Sequence, residues 1–216
     1  MILAAGRGER MRPLTDTTPK PLLQVRGKAL IEWHIERLKT CGFDEIIINI
    51  AHLGEKIQEY LGDGSRYGVA ILYSDERQSG ALESAGAIIK ALPLLGEEPF
   101  LVVNGDIFCD YTFDPHFKLH DKLAYLVLVP NPPHNTKGDF STQNKALINQ
   151  GKVQYTFSGI GYYSPKLFEN LTLQKMPLAP LLRQKANEGL IDAELYDGMW
   201  HDIGTPQRLE AINTTL

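Results

Sequence analysis

Continuous apolar runs alternate along the chain with segments of helical periodicity. The runs at residues 1–4, 45–51 and 99–106 contain few polar interruptions, which is typical of strands buried on both faces of a sheet. Shorter runs predict further strands at residues 69–74, 124–130, 152–157 and 159–164. Apolar residues recur at helical spacing in four segments, residues 30–38, 55–61, 82–92 and 178–187. Thr205 followed by Pro206 predicts the start of a last helix.

This alternation of buried strands and helices predicts an α/β fold with a mainly parallel sheet in three layers. Residues 1–216 lie within the size range of a single domain, and no repeat or linker interrupts them. Residues 131–145 are polar and rich in turn formers, so they are predicted to form a long loop of functional or mobile character. Ligands of such sheets bind beyond the carboxyl ends of the strands, where residues 5–21 and 104–106 are expected to meet.

Composition narrows the classes of partner. The net charge is −4, and hydrophobic residues make up 43% of the chain, which disfavours a general binder of nucleic acids or anionic membranes. The two cysteines, Cys41 and Cys109, do not have the spacing of metal ligands. No apolar run approaches the length of a membrane span, and no secretion signal is recognisable before Arg7. A cytoplasmic location is therefore expected.

The opening loop is basic although the chain is acidic. Six lysines and arginines stand against two acids between residues 1 and 28. The Rossmann and Walker glycine patterns are absent, but Gly6 and Gly8 allow backbone N–H groups to approach an anion closely. Arg10 can bind two phosphate oxygens as a fork, and Lys20 supplies a point charge. The loop is predicted to bind a small phosphorylated ligand; the alternative is a solvated loop with incidental arginines.

Two acids and one helix start are further candidates. Asp106 follows a buried strand, and Asp202 precedes the last helix; if they converge, they could hold Mg²⁺ against substrate phosphates. Alone, each could be a helix cap or a turn former. Small residues between positions 80 and 88 leave room for a flat ring, with Glu83 able to accept a hydrogen bond from a base N–H. A helix packed tightly on the sheet explains the same small residues.

Several of these motifs together resemble the sugar-1-phosphate nucleotidylyltransferases. The opening run Leu3-Ala4-Ala5-Gly6-Arg7-Gly8-Glu9-Arg10, continued by Pro19-Lys20-Pro21, resembles the signature of that family, and Asn104-Gly105-Asp106 and Asp202-Ile203-Gly204-Thr205-Pro206 resemble its other landmarks. The resemblance covers the whole chain. It implies a three-layer, Rossmann-like nucleotidyltransferase domain over residues 1–216 with a mixed, mostly parallel sheet. It also implies transfer of a nucleoside monophosphate from a nucleoside triphosphate to a sugar 1-phosphate, with Mg²⁺ as cofactor.

The resemblance also implies roles for individual residues. The catalytic residues would be Arg10, Lys20 and Asp106, and the metal ligands would be Asp106 and Asp202. The nucleotide-binding residues would be Leu3, Ala4, Ala5, Gly6, Arg7, Gly8, Lys20, Glu83 and Gly86. Position and polarity suggest Asn104, Gly138, Asp139 and Gly159 as sugar-binding residues. Glu83 could accept a hydrogen bond from uracil N3–H or from guanine, and it disfavours cytosine.

Within the family, the chain resembles a branch that uses UTP and N-acetylmuramate α-1-phosphate in peptidoglycan recycling. No β-helix or second domain follows the core, and residues 152–163, KVQYTFSGIGYY, lack the EKP motif of many relatives. The alternatives are a mannose- or glucose-1-phosphate nucleotidylyltransferase that uses GTP or UTP, a non-catalytic subunit that binds sugar nucleotides, and a phosphocholine cytidylyltransferase-like enzyme. The expected partners are UTP and a sugar 1-phosphate, and the expected assembly is a monomer or a homodimer.

Overall fold

The computed structural model describes residues 1–215, in which strands and helices alternate over residues 30–104 and six strands in succession, over residues 100–163, precede the fourth helix. The strands are β1 (Ile2–Leu3), β2 (Gln24–Val25), β3 (Lys28–Ala29), β4 (Glu45–Ile50), β5 (Ala70–Asp75), β6 (Phe100–Asn104), β7 (Ile107–Cys109), β8 (Ala124–Val129), β9 (Ser141–Gln143), β10 (Ala146–Ile148), β11 (Thr156–Tyr163), β12 (Ile191–Leu195) and β13 (Trp200–Asp202). The helices are α1 (Leu30–Thr40), α2 (Gly54–Leu61), α3 (Glu83–Leu95), α4 (Leu178–Asn187) and α5 (Pro206–Thr215).

A nine-stranded sheet forms the centre of the described chain, in the order β5-β4-β1-β6-β11-β8-β12-β10-β9. The pairs β5–β4, β4–β1, β1–β6 and β8–β12 are parallel. Strand β11 runs antiparallel to β6 and β8, and β10 runs antiparallel to β12 and β9. All the other strands of the sheet therefore point the same way, which confirms the predicted mixed, mostly parallel sheet.

Helices cover both faces of this sheet and complete the three predicted layers. Side chains of α1 and α2, such as Ile31, Ile35 and Ile57, belong to one buried apolar cluster. Side chains of α3 and α4, such as Ile88 and Leu182, belong to a second cluster on the opposite face. None of the described helices combines the length and the apolar character that crossing a membrane requires.

Helix boundaries follow local signals in the sequence. The predicted apolar face of α1, which includes Leu30, Ile35 and Leu38, is buried, and Gly42 with φ +96° follows the helix end. Helix α5 has Pro206 at its first position, and the Thr205 hydroxyl accepts a hydrogen bond from the Arg208 N–H at 3.4 Å. Both helix ends agree with the predictions from sequence.

The structure corrects the prediction after β8 in three places. The strand predicted at residues 152–157 begins only at Thr156 and continues through the strand predicted at 159–164, so both belong to β11, whose pairing with β8 shifts register between Phe157 and Ile160. The predicted loop at 131–145 ends earlier, because β9 begins at Ser141 and forms a hairpin with β10. Strand β12 was not predicted, because its sequence, IDAEL, alternates apolar and acidic residues over only five positions.

Candidate active site

A cavity of about 870 Å³ lies at the carboxyl ends of β1 and β6, where ligands of open α/β sheets bind. Its volume falls within the range of small-molecule sites, roughly 300–1,000 Å³. All residues from 3 to 10 line it, together with Lys20, Glu83, Asn104 and Asp106. The structure thus brings together most of the site residues predicted from sequence.

The opening loop is held in shape around Gly8. This residue has φ +65°, and a Cβ on it would lie 2.9 Å from Thr15 Cγ2 and 3.3 Å from Lys20 Cβ. The Thr15 hydroxyl and the Met11 N–H both donate to the Gly8 carbonyl at 2.8 Å. Gly8 is therefore required both for its backbone conformation and for the close approach of Lys20. Around Gly6 the space is open, so its backbone is available to a ligand.

Lys20 and Asp106 form an ion pair inside the cavity. The Lys20 ammonium donates to Asp106 Oδ2 at 2.7 Å, and the Lys20 side chain is only 11% exposed. Pro19 and Pro21 flank the lysine in a short helical turn, which restricts the backbone that carries it. The pair fixes a cation and a carboxylate at the end of β6, where a phosphate group would meet both.

Asp202 lies beside Asp106 because β13 pairs with β7. Asp202 is opposite Ile107 in that pairing, and the Ile203 N–H donates to the Asp106 carbonyl at 2.7 Å. The Asp202 carboxylate accepts from Arg208 Nη1 at 2.6 Å and lies 2.9 Å from His134 Nε2. The backbone segments that carry the two acids are therefore adjacent, but Asp106 lines the cavity, whereas Asp202 does not.

The two carboxylates fit a magnesium ion. Among residues 1–215 no group of three or more His, Cys, Asp or Glu side chains is placed to hold a metal. Mg²⁺ commonly uses one or two carboxylates and completes its shell with water and substrate phosphates. Asp106 and Asp202 are donors of this kind, and in the structure they pair with Lys20 and Arg208 respectively.

A buried polar network behind the loop was missed by the sequence predictions. Asn49 Oδ1 accepts from the Ala4 N–H at 2.7 Å, and Asn49 Nδ2 donates to Glu76 Oε1 at 2.7 Å. Glu76, fully buried, also accepts from the Leu82 N–H at 2.8 Å. The network connects the end of β1 with the start of α3, across the cavity. The available signal was a polar residue, Asn49, inside an otherwise apolar strand.

The far wall of the cavity carries Glu83, as predicted, and a lysine that was not predicted. Glu83 has φ +60°, unusual for a residue other than glycine, and its carboxylate lies 3.5 Å from Lys175 Nζ. Gly86, predicted to bind nucleotide, does not line the cavity. It packs against the backbone of Gln174, and its N–H donates to the Met176 carbonyl at 3.2 Å. Gly86 therefore allows α3 to pack closely against residues 174–176.

The predicted sugar-binding residues divide into two groups. Asn104 lines the cavity, and Gly159, with φ +83°, lies so close that a Cβ would be 2.6 Å from the Asn104 amide nitrogen. Gly138 and Asp139 lie in the turn before β9, outside the cavity lining. The Asp139 carboxylate accepts from the Phe157 N–H at 2.9 Å, so it supports the loop. The structure does not bring this second group to the cavity.

A second cavity of about 630 Å³ adjoins the first at Asp202 and was not predicted. The segment 202–205 separates the two, since Gly204 lines the first cavity, whereas Asp202 and Thr205 line the second. Its remaining lining comes from the loop after β8 and from β13 and α5, namely Pro132, Pro133, His134, Trp200, His201, Arg208, Ala211 and Ile212.

Comparison with known proteins identifies the family of the chain. A family model described as nucleotidyl transferase matches residues 1–216. An N-acetylmuramate alpha-1-phosphate uridylyltransferase of Neisseria meningitidis is 52% identical, covering 97% of this chain and 94% of that protein. A UTP–glucose-1-phosphate uridylyltransferase of Synechocystis is 40% identical and covers 100% of this chain but 63% of its own length.

Solved structures agree with these sequence matches. A crystal structure from Bacillus anthracis, described as a glucose-1-phosphate thymidylyltransferase, superposes with a TM-score of 0.85 at 25% identity, covering 99% of this chain and 93% of that one. The full-length family match and the relative at 52% identity establish that the chain belongs to the nucleotidyl transferase family, among the sugar-1-phosphate nucleotidylyltransferases that its opening motif resembles.

Proposed function

We propose that the protein transfers UMP from UTP to N-acetylmuramate α-1-phosphate, giving UDP-N-acetylmuramate and pyrophosphate. The observation that carries this proposal is the identity of 52% with the Neisseria meningitidis uridylyltransferase over nearly the full length of both chains. The cavity at the ends of β1 and β6 supports it, because its basic loop and its size suit a nucleoside triphosphate.

The proposed reaction is one in-line displacement. An oxygen of the sugar phosphate attacks the α-phosphorus of UTP, a new P–O bond forms, and the bond from that phosphorus to the bridging oxygen of the β-phosphate breaks. Pyrophosphate leaves with the bonding electron pair. The nucleophile belongs to the substrate, so no covalent enzyme intermediate is needed. The protein therefore acts through positioning and through stabilisation of charge.

The chain's own groups have distinct parts in this proposal. The backbone of Gly6, Arg7 and Gly8 cradles the phosphates, and Arg10 and Lys20 offset the charge that develops on them. Lys20 is held for this task by Asp106 at 2.7 Å. Leu3, Ala4 and Ala5 form the floor of the nucleotide site, and Glu83 accepts from the base. Asn104, backed by Gly159, faces the acceptor.

Asp106 and Asp202 would hold Mg²⁺ in the working enzyme. With Mg²⁺ held there, these two carboxylates would place positive charge against the phosphates. Arg208 and His134 contact Asp202 and set the direction of its carboxylate.

The proposal also covers the location of the enzyme, the process it serves and its assembly. We place the enzyme in the cytoplasm, in peptidoglycan recycling, as a single nucleotidyltransferase domain over residues 1–216 that works as a monomer or a homodimer. UTP and the sugar 1-phosphate are its small-molecule partners.

The second candidate is a mannose- or glucose-1-phosphate nucleotidylyltransferase. It is favoured by the Synechocystis glucose-1-phosphate relative at 40% identity and by a mannose-1-phosphate guanylyltransferase subunit of Danio rerio at 28%. A non-catalytic subunit is less supported, since Arg10, Lys20, Asp106 and Asp202 are all present.

Pyrophosphate release with Mg²⁺ tests the substrates directly. UTP, GTP, CTP and dTTP are each combined with the 1-phosphates of N-acetylmuramate, N-acetylglucosamine, glucose and mannose. The proposal expects dominant turnover with UTP and N-acetylmuramate 1-phosphate. Dominant turnover with GTP and mannose 1-phosphate would keep the mechanism and overturn the substrate, whereas no turnover in any combination would support the non-catalytic subunit.

A variant of Lys20 tests the site in the same assay. Lys20→Ala is expected to lower kcat by about two to three powers of ten, because the lost cation stabilises charge in the transition state. Its thermal unfolding should stay cooperative. Lys39→Ala is the matched control, since Lys39 also pairs with a carboxylate, Asp44 at 2.6 Å, but lies outside both cavities. Near-normal turnover by Lys20→Ala would refute the assigned site.

A further inference from the structure

The second cavity has the character of a pocket for a small amphipathic group. Pro132, Pro133, Trp200 and Ile212 give it apolar walls, whereas Arg208 and Asp202 lie where it adjoins the nucleotide cavity. The Trp200 indole N–H donates to the Ser158 carbonyl at 3.0 Å, which fixes the ring. Rigid prolines and a fixed indole make this pocket pre-formed, so little order has to be gained on binding.

Only one nitrogen of the Arg208 guanidinium, Nη1, takes part in the hydrogen bonds described for this side chain. Its Nη1 donates to both oxygens of Asp202 at 2.6 Å and lies 2.8 Å from His134 Nε2. Within residues 1–215, Nη2 and Nε of the same guanidinium make no hydrogen bond. The side chain is 23% exposed, and the guanidinium packs so closely on Gly204 that a Cβ there would overlap Nη2. A partly buried guanidinium with a free edge is a site for a carboxylate.

The proposed acceptor differs from glucose and mannose 1-phosphates in two respects. It carries an N-acetyl group, and it carries an O-lactyl ether that ends in a carboxylate. The methyl groups of both arms are apolar, and the carboxylate adds a negative charge that glucose and mannose 1-phosphates lack. In the proposed reaction the acceptor approaches Asp106 and Asp202, and Asp202 lines the second cavity.

Resting on the proposed function, we propose that the second cavity binds the lactyl arm of the acceptor and that the free edge of Arg208 pairs with its carboxylate. Arg208 is then a residue that determines specificity for an acidic amino sugar. Asp202 and His134 hold the guanidinium in place, and Trp200 and Ile212 contact the methyl groups.

The test compares N-acetylmuramate 1-phosphate with its lactyl amide, which has nearly the same shape and keeps the phosphate but lacks the carboxylate charge. Dissociation constants of both compounds are measured by calorimetry with wild type and with Arg208→Gln, and kcat and KM are measured with UTP. Wild type is expected to bind the acid more tightly than the amide by about tenfold or more, the size of one hydrogen bond to a charged group. In Arg208→Gln the ratio of the two dissociation constants should approach one. Because Arg208 also contacts Asp202, kcat should fall as well, by the same factor for both compounds, so the test rests on the two affinities.

Two further variants are compared with Arg208→Gln. Arg208→Lys keeps the charge and should restore part of the preference for the acid. Arg66→Gln removes an arginine that pairs with Glu32 outside both cavities, and the preference should stay as in wild type. Equal losses for acid and amide in Arg208→Gln would overturn the inference, because they would indicate a phosphate anchor or a purely structural role. A wild-type enzyme without turnover of the acid would instead refute the proposed function.

Discussion

His34 is a buried titratable residue on α1, next to the strand that follows Asp106. It is 3% exposed, and its Nε2 has no hydrogen-bond partner in the described part of the chain. Burial lowers the pKa of this imidazole to about 4, and the charge of Asp106 and a hydrogen bond with the Ile107 backbone oppose that shift only in part. His34 is therefore neutral in the folded protein at neutral pH.

This depressed pKa predicts a loss of stability in mild acid. Below pH 6.5 the unfolded chain binds a proton that the folded protein does not take up until about pH 4, so the free energy of unfolding falls as the pH drops through that window. The contribution amounts to about 2 kcal/mol between pH 7 and pH 5. Urea unfolding at several pH values should therefore show a flatter dependence for His34→Leu than for wild type.

The matched control is His116→Gln, which removes an exposed histidine and should keep the wild-type dependence on pH. If His34→Leu keeps the wild-type slope as well, other groups cause the acid sensitivity.

At the scale of residues, the sequence predicted best those site residues that lie within one segment or at the end of one strand. The opening loop brings its own glycines, Arg10 and Lys20, and a strand end places Asp106. Glu76 could not be found this way, because its role comes from hydrogen bonds to Asn49 and to the Leu82 N–H that form only in the folded chain. Lys175 likewise reaches Glu83 only through the packing of a distant loop.

At the scale of elements, the bend in β11 supports the acceptor side of the site. Gly159 lies at the register shift with φ +83°, directly against the Asn104 side chain. Gly159→Ala is expected to displace the Asn104 amide, which a Cβ would approach to 2.6 Å, and to lower kcat/KM for the sugar phosphate more than that for UTP. Steady-state kinetics with each substrate varied in turn measures this difference.

A second glycine provides the control for backbone strain. Gly189 has φ +72°, and a Cβ there would meet no neighbour within 4 Å. Gly189→Ala should cost stability on the order of 1 kcal/mol for the left-handed conformation while leaving turnover intact. Equal kinetics in the two variants would mean that Asn104 does not serve the acceptor.

The same bend explains why the element was misread from sequence. Ser158 separates the two short runs and Gly159 begins the second, so periodicity predicts two strands, and the pairing with β6 and β8 shows that they belong to one. Helices α1 and α4 were predicted closely because their apolar spacing and ends are local. The hairpin β9–β10 was missed because each strand has only three residues and β9, at the edge of the sheet, is polar.

At the scale of the whole molecule, three apolar clusters share elements of the fold: the two larger clusters share the nine-stranded sheet, and the third shares α1 with the first. The two larger clusters lie on the opposite faces of that sheet, and the third joins the opening loop to α1 and α5 through Met11, Leu30 and Ile212. Sequence could predict the layers from the order of strands and helices. It could not predict that the ends of the chain meet, where Asn213 accepts from the Arg26 N–H at 2.6 Å.

Because the clusters share these elements, we expect residues 1–216 to unfold as one unit. Trp33 packs against the third cluster and Trp200 against the first, so tryptophan fluorescence and far-UV circular dichroism should give the same urea midpoint. UTP at a hundred times its dissociation constant should raise the free energy of unfolding by about 2.7 kcal/mol, since only the folded cavity binds it. Lys20→Ala should lose most of that increase, because the phosphates lose a cation. Two separate midpoints, or stabilisation by UTP seen with one probe only, would contradict a single domain.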